Sequence, residues 1–348
     1  MGHGIGFARW RSDVASGGNR YDDEVSAELR RRGIELREHP VVGAWPVPGP
    51  GDRERFATLL QAERLWLVDN IVAAAAPEAI EAATGEGRTV VVLMHYFPAD
   101  DLSLPSDDRD ALAASEGRAV RAASAVVATS AWTAREVARR YGRRDALVAV
   151  PGVAMADPAP GSERDGRAPA LLWLARVTET KDPLTLVAAL VALRGLPWTA
   201  RLVGPLADAD LGDELRRRVA GAGLADRIEI TGPRAGAELD EIWRRTDLLV
   251  HTARAEAYGM VVSEALGRGI PSIVPLGTGA TEAQQGAGAV FPPGEAGRLT
   301  RVLHDWLADP ALRERWRDRA AAQRTRLPAW EAAARIIAGA FDGADPHP

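Results

Sequence analysis

Short apolar runs alternate with longer amphipathic stretches along nearly the whole chain. "GIGFARW" reads as a strand, and "SGGNRYDDEVSAELRRRG" as a glycine turn opening a helix that stops at Gly33. "LWLVD" and its helix follow, then "TVVVLMHYF", then "SAVVATS" feeding the helix "AWTAREVARRYG", and "ALVAVPGV" closes this half. The alternation restarts with "ALLWLARV" and a helix from Pro183, then "TARLVG", "DELRRRVAGAG", "RIEITG", "ELDEIWRRT", "LLVHT", "GMVVSEALGRG" and "PSIVPL". Strand–helix alternation of this kind predicts an α/β protein with parallel sheets covered on both faces.

Between the halves, "AMADPAPGSERDGRAP" is rich in Pro, Gly and charge and reads as a linker. The predicted domains are therefore 1–155 and 169–327, with a linker over 156–168 and a terminal amphipathic helix over 328–343. Two Rossmann-like, doubly wound halves would face each other across a cleft, with ligand at the carboxyl ends of their strands.

Composition narrows the class. The 348 residues carry 46% hydrophobic and 26% charged residues, as expected of a globular chain with a sizeable core. A net charge of −5 gives no global attraction to nucleic acid, and the ten tryptophans are scattered and form no stacking platform. Zero cysteines exclude disulfides, thiolate metal sites and a thiol nucleophile. With no apolar leader and no run near the ~18 residues of a membrane span, a cytoplasmic location is expected. The arginine clusters at 30–32, 139–144 and 216–218 read as solvated helix faces, the first two also allowing contact with the inner membrane face. "DDLSLPSDD" reads as a solvated acidic loop, or as a lure for a cationic acceptor.

One lysine stands among 42 arginines, Lys181 in "ARVTETKD". In a chain that uses arginine wherever a cation suffices, its retention suggests a role for a compact charge on a flexible stem. Arg176 sits just past the preceding apolar run. Fixed positive charge of this kind suits a diphosphate leaving group. Further on, "EAYGMVVSE" separates Glu256 from Glu264 by seven residues, with Gly259 opening a helix between them. The N–H groups of Gly259, Met260 and Val261 favour an anion, and Glu264 could hold a ribose diol. A surface glutamate and a helix-terminal charge would also account for that spacing alone.

Together these segments resemble the retaining glycosyltransferases of family 4, which have the GT-B fold. "LLWLARVTETKD" is similar to the family's donor-diphosphate segment, and "EAYGMVVSE" to its E-x7-E motif, over roughly residues 15–340 in all. The resemblance implies that Glu256 faces the donor sugar and that Tyr258 and its neighbours line the donor site. It also implies that Gly17 and Gly18 approach the donor phosphates and that His95, ending "VVVLMHYF", lies beside the reaction centre. The last helix, with Trp330, would cross back to the first domain. Ala175 and Asp182 stand where glycine is usual, and Thr281-Glu282 replaces a usual Pro-Glu. The implied activity is retaining transfer of a sugar from a nucleotide diphosphate sugar, UDP favoured and GDP next, to a hydroxyl acceptor, either a small molecule or a glycoconjugate. No Asp-x-Asp metal motif stands in a suitable loop, so no metal or other cofactor is expected. Two other readings stay open at this point: a nucleotide-sugar-binding subunit without activity, and an NAD(P)-dependent oxidoreductase suggested by "GHGIG".

Overall fold

The computed structural model describes residues 4–10, 16–162 and 166–342. It divides into two compact units, 1–152 with 328–348, and 153–327. Each is built on one six-stranded sheet in which every pair of neighbours is parallel.

The first sheet consists of β1 (Ile5–Arg9), β2 (Leu36–Pro40), β3 (Leu65–Asp69), β4 (Thr89–Met94), β5 (Ala125–Ala128) and β6 (Leu147–Val148), in the order β2-β1-β3-β4-β5-β6. The chain winds outward one way from β1 and the other way from β3, so the switch in direction falls between them. At such a switch the connections diverge and leave a crevice beyond the carboxyl ends of the strands. Arg9, Asp69 and His95 stand at the ends of β1, β3 and β4. Strand β4 is apolar at five of its six positions, as a strand covered on both faces requires.

The second sheet holds β7 (Ala170–Leu174), β8 (Thr199–Val203), β9 (Ile228–Thr231), β10 (Leu248–Val250), β11 (Ser272–Pro275) and β12 (Gly288–Phe291), in the order β12-β11-β10-β7-β8-β9. Its switch lies between β7 and β10. The two segments singled out by the sequence, 176–181 and 256–264, follow those two strands.

Several elements escape the hydrophobic pattern. β2, "LREHP", is an edge strand with only its leucine buried, so it offers no apolar run to read. β12 is short and glycine-led. The pattern also leaves out the helices Pro50–Leu59, Pro77–Gly85, Ala296–Ala308 and Pro310–Gln323. The expected acidic loop is corrected in part. Asp107 and Asp108 lie in the first turn of the helix Ser106–Ala122, where carboxylates complement the helix dipole.

The segment 156–162 is docked on the second unit. Ala159 N–H donates to the Arg268 carbonyl at 2.9 Å and Gly161 N–H to that of Arg244 at 3.0 Å. The buried Asp247 carboxylate accepts from Ser162 N–H at 3.1 Å and Ala170 N–H at 2.8 Å, and pairs with Arg317 at 2.7 Å. In the first unit, the closing helix Trp330–Gly339 packs on the helix Gly17–Arg31, with Trp330 edge-on to Tyr21 at 5.4 Å between ring centres.

Gly6, the last of the amino-terminal glycines, has a packing explanation. Residues 1–3 lie outside the described residues, and a Cβ on Gly6 would come within 2.7 Å of the Trp66 ring. Close backbone approach also governs the end of β8. Gly204 has φ +148°, and a Cβ there would sit 1.9 Å from the Ala175 carbonyl oxygen, next to Arg176. Gly204→Ala is expected to destabilise the protein by about 3 kcal/mol, since it adds both strain and overlap. Urea unfolding checks this; the same substitution at Gly195, which has open space around its Cβ position, is the control.

Candidate functional site

In the second unit, the loops after β7 and β10 meet through Lys181 and Glu256. Lys181 Nζ lies 2.7 Å from Glu256 Oε2, and His251 Nε2 lies 3.0 Å from the same oxygen. A carboxylate only accepts, so the imidazole donates from Nε2. Burial alone would raise the Glu256 carboxyl. The Lys181 charge, seconded by His251, outweighs it and holds that group well below the usual carboxylate range.

The backbone around this contact is stitched together. Thr178 caps the short turn Glu179–Lys181. Thr252 Oγ1 donates to the carbonyls of Lys181 at 3.0 Å and Asp182 at 2.8 Å, and accepts from Trp173 Nε1 at 2.9 Å. Arg254 N–H donates to the Thr180 carbonyl at 2.8 Å. Asp182 explains its own departure from glycine. Its φ of +47° is left-handed, a region Asp tolerates, and its side chain caps the helix Pro183–Ala192 by accepting from Thr185 N–H at 3.1 Å. The carboxylate also pairs with Arg254 Nε at 3.0 Å.

Beyond Glu256, Gly259 takes φ +85° and opens the helix Met260–Gly267 without a side-chain cap. Among the described residues, the N–H groups of Gly259, Met260 and Val261 have no backbone acceptor, whereas Val262 N–H donates to the Gly259 carbonyl at 2.9 Å. Such a bare helix start favours an anion. Gly279 N–H holds the Glu256 carbonyl at 2.8 Å, and a Cβ on Gly279 would overlap the Ala257 carbonyl. Tyr258 is buried, which pushes its hydroxyl up to about 12. Glu264 is half-buried on the helix. Arg176 is exposed and has no side-chain partner among the described residues.

In the first unit, His95 Nε2 forms an ion pair with Asp22 Oδ1 at 2.8 Å, both side chains being almost fully buried. Burial opposes a charged imidazole, but Asp22 and then Asp69 outweigh it and push His95 up to about 9. Burial likewise raises the Asp69 carboxyl. Asn70 Oδ1 accepts the His95 N–H at 2.9 Å, and Asn70 Nδ2 donates to the buried Glu116 at 2.9 Å, so the loop after β4 is fixed. Tyr21 packs edge-on to the imidazole at 5.3 Å. Gly17 and Gly18 form the first turn of a helix capped by Ser16, and the Cβ position of Gly18 is 3.7 Å from the His95 ring.

Asp22, Asp69 and His95 each offer a ligand atom, all within 4.8 Å of one another. The Asp22–His95 ion pair and the nearby Arg9 charge, which opposes protonation of His95, set positive charge against a further cation there, while Asp22 Oδ1, His95 Nε2 and Arg9 Nη1 are buried without a hydrogen-bond partner among the described residues. Several arginines of the clusters are ion-paired on their own surface. Arg30 pairs with Glu38, Arg31 with Glu28, Arg139 with Glu136, Arg140 with Asp100 and Arg143 with Asp145. Among the described residues, no helix is long and apolar enough to cross a membrane.

Residues 159–323 match the family model for glycosyl transferases group 1. That stretch, a little under half of the chain, is similar to the group 1 glycosyl transferases. The chain is 28% identical over 257 residues to D-inositol 3-phosphate glycosyltransferase 1 of Catenulispora acidiphila, an alignment covering 66% of this chain. The matched stretch spans 60% of that relative's own length. Sucrose-phosphate synthase from Thermosynechococcus elongatus shares the fold with a TM-score of 0.78, at 18% identity and 98% coverage of both chains. Anabaena Alr3699/HepE, solved in complex with UDP and glucose, superposes with a TM-score of 0.75 at 18% identity, covering 98% of this chain and 100% of that one. The architecture is thus the GT-B fold.

Within the matched stretch, Lys181, Glu256 and the helix start at Gly259 converge after the switch strands. Sequence reasoning missed His251, read only as the end of "LLVHT". In the first unit it missed Asp22, Asp69, Asn70 and Glu116. A histidine directly after an apolar strand and five residues before the first Glu was the available signal for His251. Asp22 and Asn70 carried none, because their partners are remote in sequence.

The Asp22–His95 pair predicts a pH-dependent stability. A group raised in the folded state contributes fully below its unfolded value near 6.5 and loses that contribution as pH rises through about 9. Asp22→Asn should destabilise the protein at pH 6 by about 3 kcal/mol, the cost of breaking a buried pair. The gap from the wild type should shrink by pH 9.5 in chemical unfolding, and an equal gap at both pH values would contradict the pairing.

Proposed function

We propose that this protein transfers a sugar, with retention at the anomeric carbon, from a nucleotide diphosphate sugar to a hydroxyl acceptor. A UDP-sugar is favoured and a GDP-sugar comes next, with no metal required. The observation that carries the reading is the meeting of Lys181 and Glu256 beside the bare helix start at Gly259. One anion-binding helix terminus and one lysine on a mobile stem suit a diphosphate. The Anabaena neighbour solved with UDP-glucose favours uridine as the base.

In this reading the leaving diphosphate takes Lys181, Arg176 and the amides of Gly259, Met260 and Val261. Tyr258 shapes the pocket wall and Glu264 holds the ribose diol. Glu256, fixed as an anion, stabilises positive charge that develops on the donor sugar as its bond to phosphate breaks. His95, an imidazolium at neutral pH, donates to oxygen and does not act as a base. The acceptor proton passes to the departing phosphate on the same face, which preserves the anomeric configuration.

Thermal unfolding with UDP, GDP, ADP, dTDP and NAD(P) tests the donor class. UDP at a hundred times its Kd should stabilise the folded protein by about 2.7 kcal/mol, with GDP weaker. Stabilisation by NAD(P) alone would overturn the reading, and UDP binding without cleavage of any UDP-sugar would reduce the protein to a binding subunit.

A further inference from the structure

Glu256 is held twice through a single oxygen, by a group that can move and by one that cannot. Lys181 ends a short turn, and its side chain keeps 22% of its exposure. His251 follows β10 directly, is 3% exposed, and is pinned by its own N–H to the Ile273 carbonyl at 2.9 Å. The Glu256 backbone is fixed from the other side, by Gly279 N–H on its carbonyl at 2.8 Å.

We propose that His251 is a positioning residue that keeps the Glu256 carboxylate in place when Lys181 turns from it to a diphosphate. The inference rests on the sugar-transfer reading for the lysine's destination, but not for the tether itself. With no bound anion, the lysine and the carboxylate neutralise each other. A diphosphate competes for the ammonium group, and its departure would leave a largely buried carboxylate short of one partner, an unfavourable state. The Nε2–H of His251 stays on the same oxygen. The carboxylate therefore remains an anion, remains oriented, and has lost the cation that masked its charge. One substrate group would thus both occupy the lysine and unmask the glutamate, tying the electrostatic readiness of the site to donor binding. Only a rigidly held donor can do this, because a second flexible group would follow the phosphate too.

Three measurements on the full chain test the tether. His251→Phe keeps an aromatic ring and removes the donor; it should lower kcat by about 100-fold while changing the Kd for UDP by less than about threefold. His251→Gln, whose amide nitrogen reaches the place of Nε2, should recover to within about tenfold of the wild type. Unchanged kcat in the phenylalanine variant, or equal loss in both variants at equal melting temperature, overturns the proposal. The third readout needs no turnover. In Lys181→Met, long-range proton–nitrogen NMR should show His251 still carrying its proton on Nε2; a switch to Nδ1–H overturns the tether. A protein that binds UDP, transfers no sugar and keeps the Nε2–H state retains the tether and refutes the transfer reading alone.

Discussion

One carboxylate oxygen organises the second unit: Glu256 Oε2, shared by Lys181 at 2.7 Å and His251 at 3.0 Å. Burying that anion without partners is unfavourable, and these two donors offset the cost. Both can be present only if the loops after β7 and β10 come together, and the sheet order places those strands side by side. The crowded glycines serve the same end. Gly204 lets β8 lie against Ala175, and Gly279 lets its loop lie against Ala257. A methyl group at either position would push apart the backbone that carries Arg176 or Glu256.

The first unit solves a related problem with the opposite charge. His95 is kept charged in a buried place by Asp22, with Asp69 behind it, and its backbone is locked through Asn70. The two units thus present a fixed anion and a fixed cation, each made stable by buried partners and each at the carboxyl ends of sheet strands. Neither is a free-standing acid or base at neutral pH.

Much of this is legible in the amino-acid sequence. Buried parallel strands announce themselves as apolar runs, and β4 and β10 could hardly be read otherwise. The Lys181 segment and the Glu256–Glu264 pair stand out by residue type and spacing. β2 is invisible there because an edge strand with one buried residue carries no hydrophobic signal. The helices Ala296–Ala308 and Pro310–Gln323 lie beyond the last motif, where no strand marks a new unit. The partners of the charged residues are the largest omission. Lys181 and Glu256 are 75 residues apart, and spacing alone does not say that they touch. Asp182 reads in sequence as a departure from glycine; only its left-handed backbone and its cap on Thr185 show why aspartate is accepted.

The central claim is that Lys181 serves the leaving diphosphate and does not merely neutralise Glu256. Comparing turnover of a UDP-sugar by the wild type, Lys181→Ala and Lys181→Arg tests it most directly. The account predicts a loss of roughly a hundredfold or more for alanine and only partial recovery with arginine, whose planar fork is a poor copy of a compact charge. Near-wild-type turnover by Lys181→Ala, with every nucleotide sugar the wild type uses, would contradict it.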